Sequence, residues 1–171
     1  MFDNLQAIRK AGFVGFKTIK ELRDTKLNDV PGNPDENDIG VYLVLRLDTN
    51  PPVFMSQSIG GHFKKKNPTV SLADLQSNWV EGPLVIYVGK AGAPSKQATL
   101  RSRLKQYLSF GAGRPVGHWG GRLIWQLAKS EEFVICWKRT PDDVPREVEK
   151  QIILEFKAGY AGKRPFANLM D

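Results

Sequence analysis

Three apolar runs constrain the fold of this chain more than anything else in it. They are Gly40-Val41-Tyr42-Leu43-Val44-Leu45-Arg46-Leu47, Leu84-Val85-Ile86-Tyr87-Val88 and Phe133-Val134-Ile135-Cys136-Trp137. Each has the length of a buried strand rather than of a core helix. The first is apolar at nearly every position, which predicts a central strand. Tyr42, Val44 and Arg46 would share one of its faces, and Val41, Leu43, Leu45 and Leu47 the other.

Helices are predicted around these strands. Residues 1–36 read as a small helical lead-in, with Thr18 and Glu21 as a capping box opening a short helix. Pro31, Gly32, Asn33 and Pro34 break the chain before the first strand. Between the first two strands, residues 48–82 form a long insertion. It holds a helix opened by the Ser71/Asp74 capping pair and a basic turn at Lys64-Lys65-Lys66, which is either solvated or in contact with phosphate. A helix from about Thr99 to Leu108 buries Leu100, Leu104 and Leu108. Arg103 and Tyr107 lie one turn apart on the flank of that stripe, and Arg101 and Lys105 point the other way. A glycine-rich loop over 111–122 lacks the strand and spacing of a dinucleotide fingerprint. A helix over Leu123 to Ala128 follows it, and a long one from Val144 to about Lys157 comes after the third strand.

With 171 residues, 41% of them apolar and 25% charged, the chain has enough material for one well-formed core. No apolar run reaches bilayer-spanning length, and polar residues interrupt the N-terminus where a signal peptide needs an apolar stretch. The expectation is a cytoplasmic, reducing setting and no membrane partner. One cysteine and two histidines exclude a Cys/His zinc site, and Cys136 reads as a packed thiol. The net charge of +7 attracts polyanions, nucleic acid first among them.

On the long helix Glu149, Ile152, Ile153 and Phe156 share a face, so Glu149 is an inward-facing acid that must have a partner. Two partners suit it: an arginine such as Arg103, or a divalent cation held together with water and substrate phosphate. Glu147 and Glu155 read as surface acids.

Gly40-Val41-Tyr42, Tyr87-Val88-Gly89, Arg103 on a helix, Glu149 on a helix and Asn168 near the end follow one another in an order that resembles the GIY-YIG nuclease family. The resemblance spans Gly40 to Asn168, apart from the insertion, where the family usually has a short hairpin. It implies an α/β (α+β) fold with a small central antiparallel sheet of about three strands flanked by helices. It implies a Mg²⁺- or Mn²⁺-dependent endonuclease acting on DNA, with Glu149 as metal ligand. Tyr42 would help deprotonate the attacking water, Arg103 would bind phosphate, and Tyr87, Tyr107 and Asn168 would support the site. Lys90 matches the lysine of the repair-nuclease branch, and Gly89 beside it would let a phosphate approach closely. Arg101, and Arg122 with His118 from the glycine-rich loop, are candidate DNA contacts. Pro165, Phe166 and Leu169 would anchor the tail that carries Asn168. A non-catalytic DNA-binding module with the same fold is the alternative, and the oligomeric state is left open.

Overall fold

Every position from Gly40 to Leu45 is buried, because this run is an inner strand of an open four-stranded sheet. The computed structural model describes all residues except 26, 31, 93–97 and 171. In chain order the elements are α1 (Leu5–Lys10), β1 (Val14–Thr18), α2 (Ile19–Asp24), β2 (Gly40–Leu45), α3 (Leu72–Asn78), β3 (Val85–Ala91), α4 (Leu100–Gly111), β4 (Val134–Arg139) and α5 (Pro145–Gly159). The strand order is β1-β4-β2-β3, with every pairing antiparallel. Tyr42 therefore sits opposite Gly89 on one side and Trp137 on the other.

The pleat of β2 divides the core as its sequence predicts. Tyr42 and Val44 join Tyr87, Ile135 and Trp137 on the face covered by α2 and α4. Val41, Leu43 and Leu45 join Val88 and Cys136 on the face covered by Ile152, Ile153 and Phe156 of α5. Burial of each such side chain contributes about 1.5–3 kcal/mol relative to leaving it in water.

The sheet has four strands where three were expected. The fourth, β1, lies inside the segment read as a helical lead-in. Its register against β4 shifts between Val14 and Lys17, and a bulge of that kind erases the two-residue period by which a strand is recognised. The lead-in also adds Ile19, Leu22, Leu27 and Val30 to the core. Its capping box is present, with Thr18 Oγ1 accepting from Glu21 N–H at 3.0 Å. Ser71 caps α3 in the same way.

A second difference concerns residues 123–128, where a 3-10 turn over Arg122–Gln126 replaces the expected helix. Its backbone is committed to the insertion: Met55 N–H donates to Gln126 C=O and Ile59 N–H to Trp125 C=O, each at 2.9 Å. The buried Gln126 amide donates to the carbonyls of Met55 and Val70 and accepts from Val70 N–H. The insertion is thus laced onto the domain rather than hanging from it.

The C-terminal segment docks on the free edge of β3. Ala167 N–H donates to Ile86 C=O. The Asn168 side chain accepts from Val88 N–H at 2.9 Å and donates to Val88 C=O at 2.8 Å, taking the place of a neighbouring strand. Phe166 is buried against Trp79 and Phe54 from the insertion, whereas Leu169 is exposed and anchors nothing. Asn168→Ala would leave both Val88 groups without partners at a buried edge. A loss of about 1–3 kcal/mol is expected, read as a lower urea midpoint at unchanged slope. An unchanged midpoint would show that the tail does not hold this edge.

Candidate active site

At the end of β3 the chain places Lys90, which is partly exposed, one residue beyond the buried edge. From the first turns of α5, Glu149 reaches towards it, and Lys90 Nζ and Glu149 Oε2 form an ion pair. Glu149 is 12% exposed, and burial raises its pKa above the ordinary carboxylate value. Lys90, then Arg146 and Arg103, oppose that rise by favouring the charged form.

The pair stands in an open cleft of about 730 Å³. Tyr87 from β3, Arg103 from α4, Arg122 from the glycine-rich loop, Arg146 from α5 and Asn168 from the tail also line it. Among the described residues, four cationic side chains (Lys90, Arg103, Arg122 and Arg146) thus face a single acid, Glu149. Such a surplus of positive charge in a concave site concentrates field lines and attracts a phosphate-bearing ligand. Trp119 forms part of the same wall, with the Arg122 guanidinium 4.8 Å from its ring centre.

Behind Tyr87 lies an aromatic layer sealed from solvent. Tyr42, Tyr87 and Tyr107 have ring centres 5.9 Å apart in each pairing, and the His118 ring is 4.8 Å from that of Tyr107. Tyr42 Oη lies 3.1 Å from His118 Nε2. Burial raises the pKa values of Tyr42 and Tyr107 well above ordinary and pushes Tyr87 up to about 12. A hydrogen bond from Tyr42 works against the rise at Tyr87. Burial, helped by the Arg103 charge, lowers His118 to about 3, so its imidazole is neutral at ordinary pH. Among the described residues Tyr107 Oη and His118 Nδ1 find no hydrogen-bond partner, each at a cost of about 1–3 kcal/mol.

The residues singled out in the sequence therefore fall into three groups. Tyr87, Lys90, Arg103, Arg122, Glu149 and Asn168 line the cleft. Tyr42, Tyr107 and His118 form the layer behind it, so His118 faces buried tyrosines and not solvent. Gly89 serves that layer: a Cβ there would lie 2.3 Å from Tyr42 Cζ, so the glycine makes room for the tyrosine ring. Arg101 is turned away, donating to Pro34 C=O at 2.9 Å and pairing with Glu36 at 3.7 Å. The partner of Glu149 is Lys90 rather than Arg103. Arg146 was missed, although its place three residues before Glu149 puts both on one helix face.

Among the described residues no group of three or more His, Cys, Asp or Glu is placed to hold a metal. A lone carboxylate beside open space fits only a hydrated Mg²⁺ or Mn²⁺ that takes its other ligands from water and substrate phosphate. Glu149, with one oxygen engaged by Lys90, offers that minimal donor set. Among the described residues no helix is long and apolar enough to cross a membrane. Comparison with protein-family models, with curated proteins and with solved structures finds no match for this chain.

The buried imidazole makes stability depend on pH. Below about 6.5 the unfolded chain binds a proton at this histidine, whereas the folded chain does not until about pH 3. Stability should therefore fall with acidification, by about 2 kcal/mol between pH 7 and pH 5. His118→Gln should flatten that part of the profile in urea titrations. A profile equally steep in the variant would show that another group is responsible.

Proposed function

We propose that the chain is an endonuclease of the GIY-YIG type that hydrolyses DNA phosphodiester bonds in the cleft between β3, α4 and α5. The observation that carries this reading is the convergence of Tyr87, Lys90, Arg103, Glu149 and Asn168 on one concave surface. Among the described residues four cations and a single acid meet there, backed by a layer of neutral hydroxyls and an imidazole.

Each residue has a place in an in-line displacement. The scissile phosphate enters among Lys90, Arg103 and Arg122, and the Arg103 fork stabilises the charge that builds on the pentacoordinate phosphorus. Tyr87 presents its hydroxyl at the cleft surface, with the Tyr42 hydroxyl behind it. The Tyr87 phenolate, formed when Tyr87 gives its own proton to solvent, takes the proton of the attacking water as that oxygen bonds to phosphorus and the ester oxygen leaves. A Tyr42 hydroxyl that donates to Tyr87 and accepts from His118 Nε2–H favours that phenolate against the burial that opposes it. Glu149 would hold the divalent ion, which supplies electrostatic stabilisation of the leaving oxygen. Lys90, the partner of Glu149, is close enough to the cleft to pair with phosphate instead.

The Lys90–Glu149 ion pair also favours a second reading, a DNA-binding module that does not cut, because it already satisfies the acid. Supercoiled plasmid with and without Mg²⁺ separates the two. Nicking that requires Mg²⁺ is expected. A retarded band with no nicks would establish the binder.

Glu149→Ala should abolish nicking while leaving DNA affinity equal or higher, since it removes the one acid from a phosphate-facing site and frees Lys90. Glu147→Ala, on the exposed side of α5, should cut like wild type. Nicking by the Glu149 variant at the wild-type rate would remove this residue from the mechanism.

Arg103→Ala should lower the rate roughly 100- to 1000-fold at saturating DNA. Arg101→Ala should lower the melting temperature and spare the rate, because that side chain ties α4 to Pro34 and Glu36. Equal kinetic losses in the two would overturn the assignment of the arginines.

A further inference from the structure

Two lysines in a row, Lys64 and Lys65, have φ of +50° and +61°, the left-handed region that side chains other than glycine and asparagine rarely occupy. Phe63 and Lys66 pair on either side of them, with Lys66 N–H donating to Phe63 C=O at 3.0 Å. The four residues form a tight turn with positive φ at both central positions, a turn that Asn-Gly satisfies without strain. The chain instead accepts backbone strain to hold three exposed lysines at its tip. Phe16, Lys129 and Ala161 also have positive φ, but only at Lys64 and Lys65 do two such residues adjoin among the described residues, and strain doubled at a surface turn calls for a functional explanation.

The turn is seated on the cleft wall. A Cβ on Gly117 would lie 3.3 Å from the Phe63 ring, and one on Gly61 would overlap the Arg114 carbonyl at 1.8 Å. Gly61 N–H donates to Phe110 C=O at the end of α4. Two residues beyond Gly117 comes Trp119, which lines the cleft beside Arg122. Lys64, Lys65, Lys66 and Arg114 are all exposed, and among the described residues no ion pair involves any of them. The lysine turn is thus carried against the loop that supplies Trp119 and Arg122 to the cleft.

We propose that the Lys64-Lys65-Lys66 turn is a second DNA contact, gripping the phosphate backbone of a duplex beyond the bond that lies in the cleft. The proposal rests on the nuclease reading for its choice of DNA as the polyanion. A duplex carries about one charge per 1.7 Å of axis, so DNA leaving the cleft along this wall presents phosphate to the turn. The tight turn fixes the lysine backbone, with Lys64 Nζ 5.5 Å from the centre of the Phe63 ring, and so lowers the entropy lost on binding. On this reading the insertion extends the DNA footprint on one side of the cut.

The test uses the full chain and a random-sequence duplex, with binding measured without Mg²⁺ over a range of NaCl concentrations. Lys64→Asn with Lys65→Gly removes two charges and relieves the strain. The melting temperature should rise by roughly 2–4 °C, and the slope of log K against log salt should flatten by about 1.8. Affinity at low salt should fall about tenfold or more. Lys66→Ala, which leaves the left-handed residues alone, should flatten the slope by about 0.9. Unchanged slopes in both variants overturn the proposal, as does wild-type protein that binds anionic vesicles in place of duplex. A lower melting temperature in the double variant overturns the strain assignment. Wild-type nicking is read in parallel. Its absence alongside intact salt effects would defeat the nuclease reading and leave the turn as a DNA contact.

Discussion

Burial of β2 on both faces and both edges is the constraint on which the rest of this structure depends. β4 and β3 satisfy its hydrogen bonds, and each face needs a separate hydrophobic cover. On one side α5 provides that cover with Ile152, Ile153 and Phe156, which fixes the phase of the helix and carries Glu149 to the end of β3. On the other side the cover is largely aromatic, and Tyr42 is its centre. The antiparallel register puts Gly89 opposite Tyr42, and only the missing Cβ lets the ring lie across the neighbouring strand. The same pairing delivers Tyr87 to the cleft wall and Lys90 to its floor. The geometry of the site is thus a by-product of how one strand is covered.

Electrostatics at the site work against stability. Glu149 loses hydration on burial, and its main compensation is Lys90, itself partly exposed. An ion pair of this kind contributes little net stability, while four cations around one acid repel one another. Tyr107 Oη and His118 Nδ1 add two buried polar atoms without partners. A core selected for stability alone would replace those groups with apolar ones of similar shape. Together they make the β3–α4–α5 cleft and the layer behind it a costly part of the fold.

What the sequence made legible divides by range. The three apolar runs and the capping residues Thr18 and Ser71 act through neighbours in the chain, so their strands and helix starts can be read directly. Helical phase likewise set Glu149 on the apolar face of α5 and turned Arg101 away from Arg103. β1 escaped because its bulge destroys the alternation, and the 3-10 turn at Arg122–Gln126 escaped because its partners lie in the insertion. Long-range pairings were out of reach. Lys90 meets Glu149 across 59 residues and Tyr42 meets His118 across 76, with no local pattern to announce either. His118 follows a glycine in a loop, which reads as exposed, yet the loop folds inward over the tyrosines. The order of the motif residues along the chain suggested that they belong together, but only the register of β2 on β3 says which face the cleft and which stand behind it.

The insertion makes the same point about range from the other direction. A connection of that length between adjacent antiparallel strands would be unstable as free coil, since its ordering entropy must be offset by contacts. Backbone hydrogen bonds from Met55, Ile59 and Gly61 hold it, together with the buried Gln126 side chain, which makes three hydrogen bonds to Met55 and Val70. Phe54 and Trp79 add aromatic contacts to Phe166 of the C-terminal segment. That segment is the one whose Asn168 closes the β3 edge beside Tyr87. The insertion, the tail and the cleft wall are therefore mechanically coupled: a change that loosens Gln126 loosens the platform under Phe166, and with it the edge that carries Tyr87. Residues that never touch a substrate would in this way govern how firmly the cleft keeps its shape.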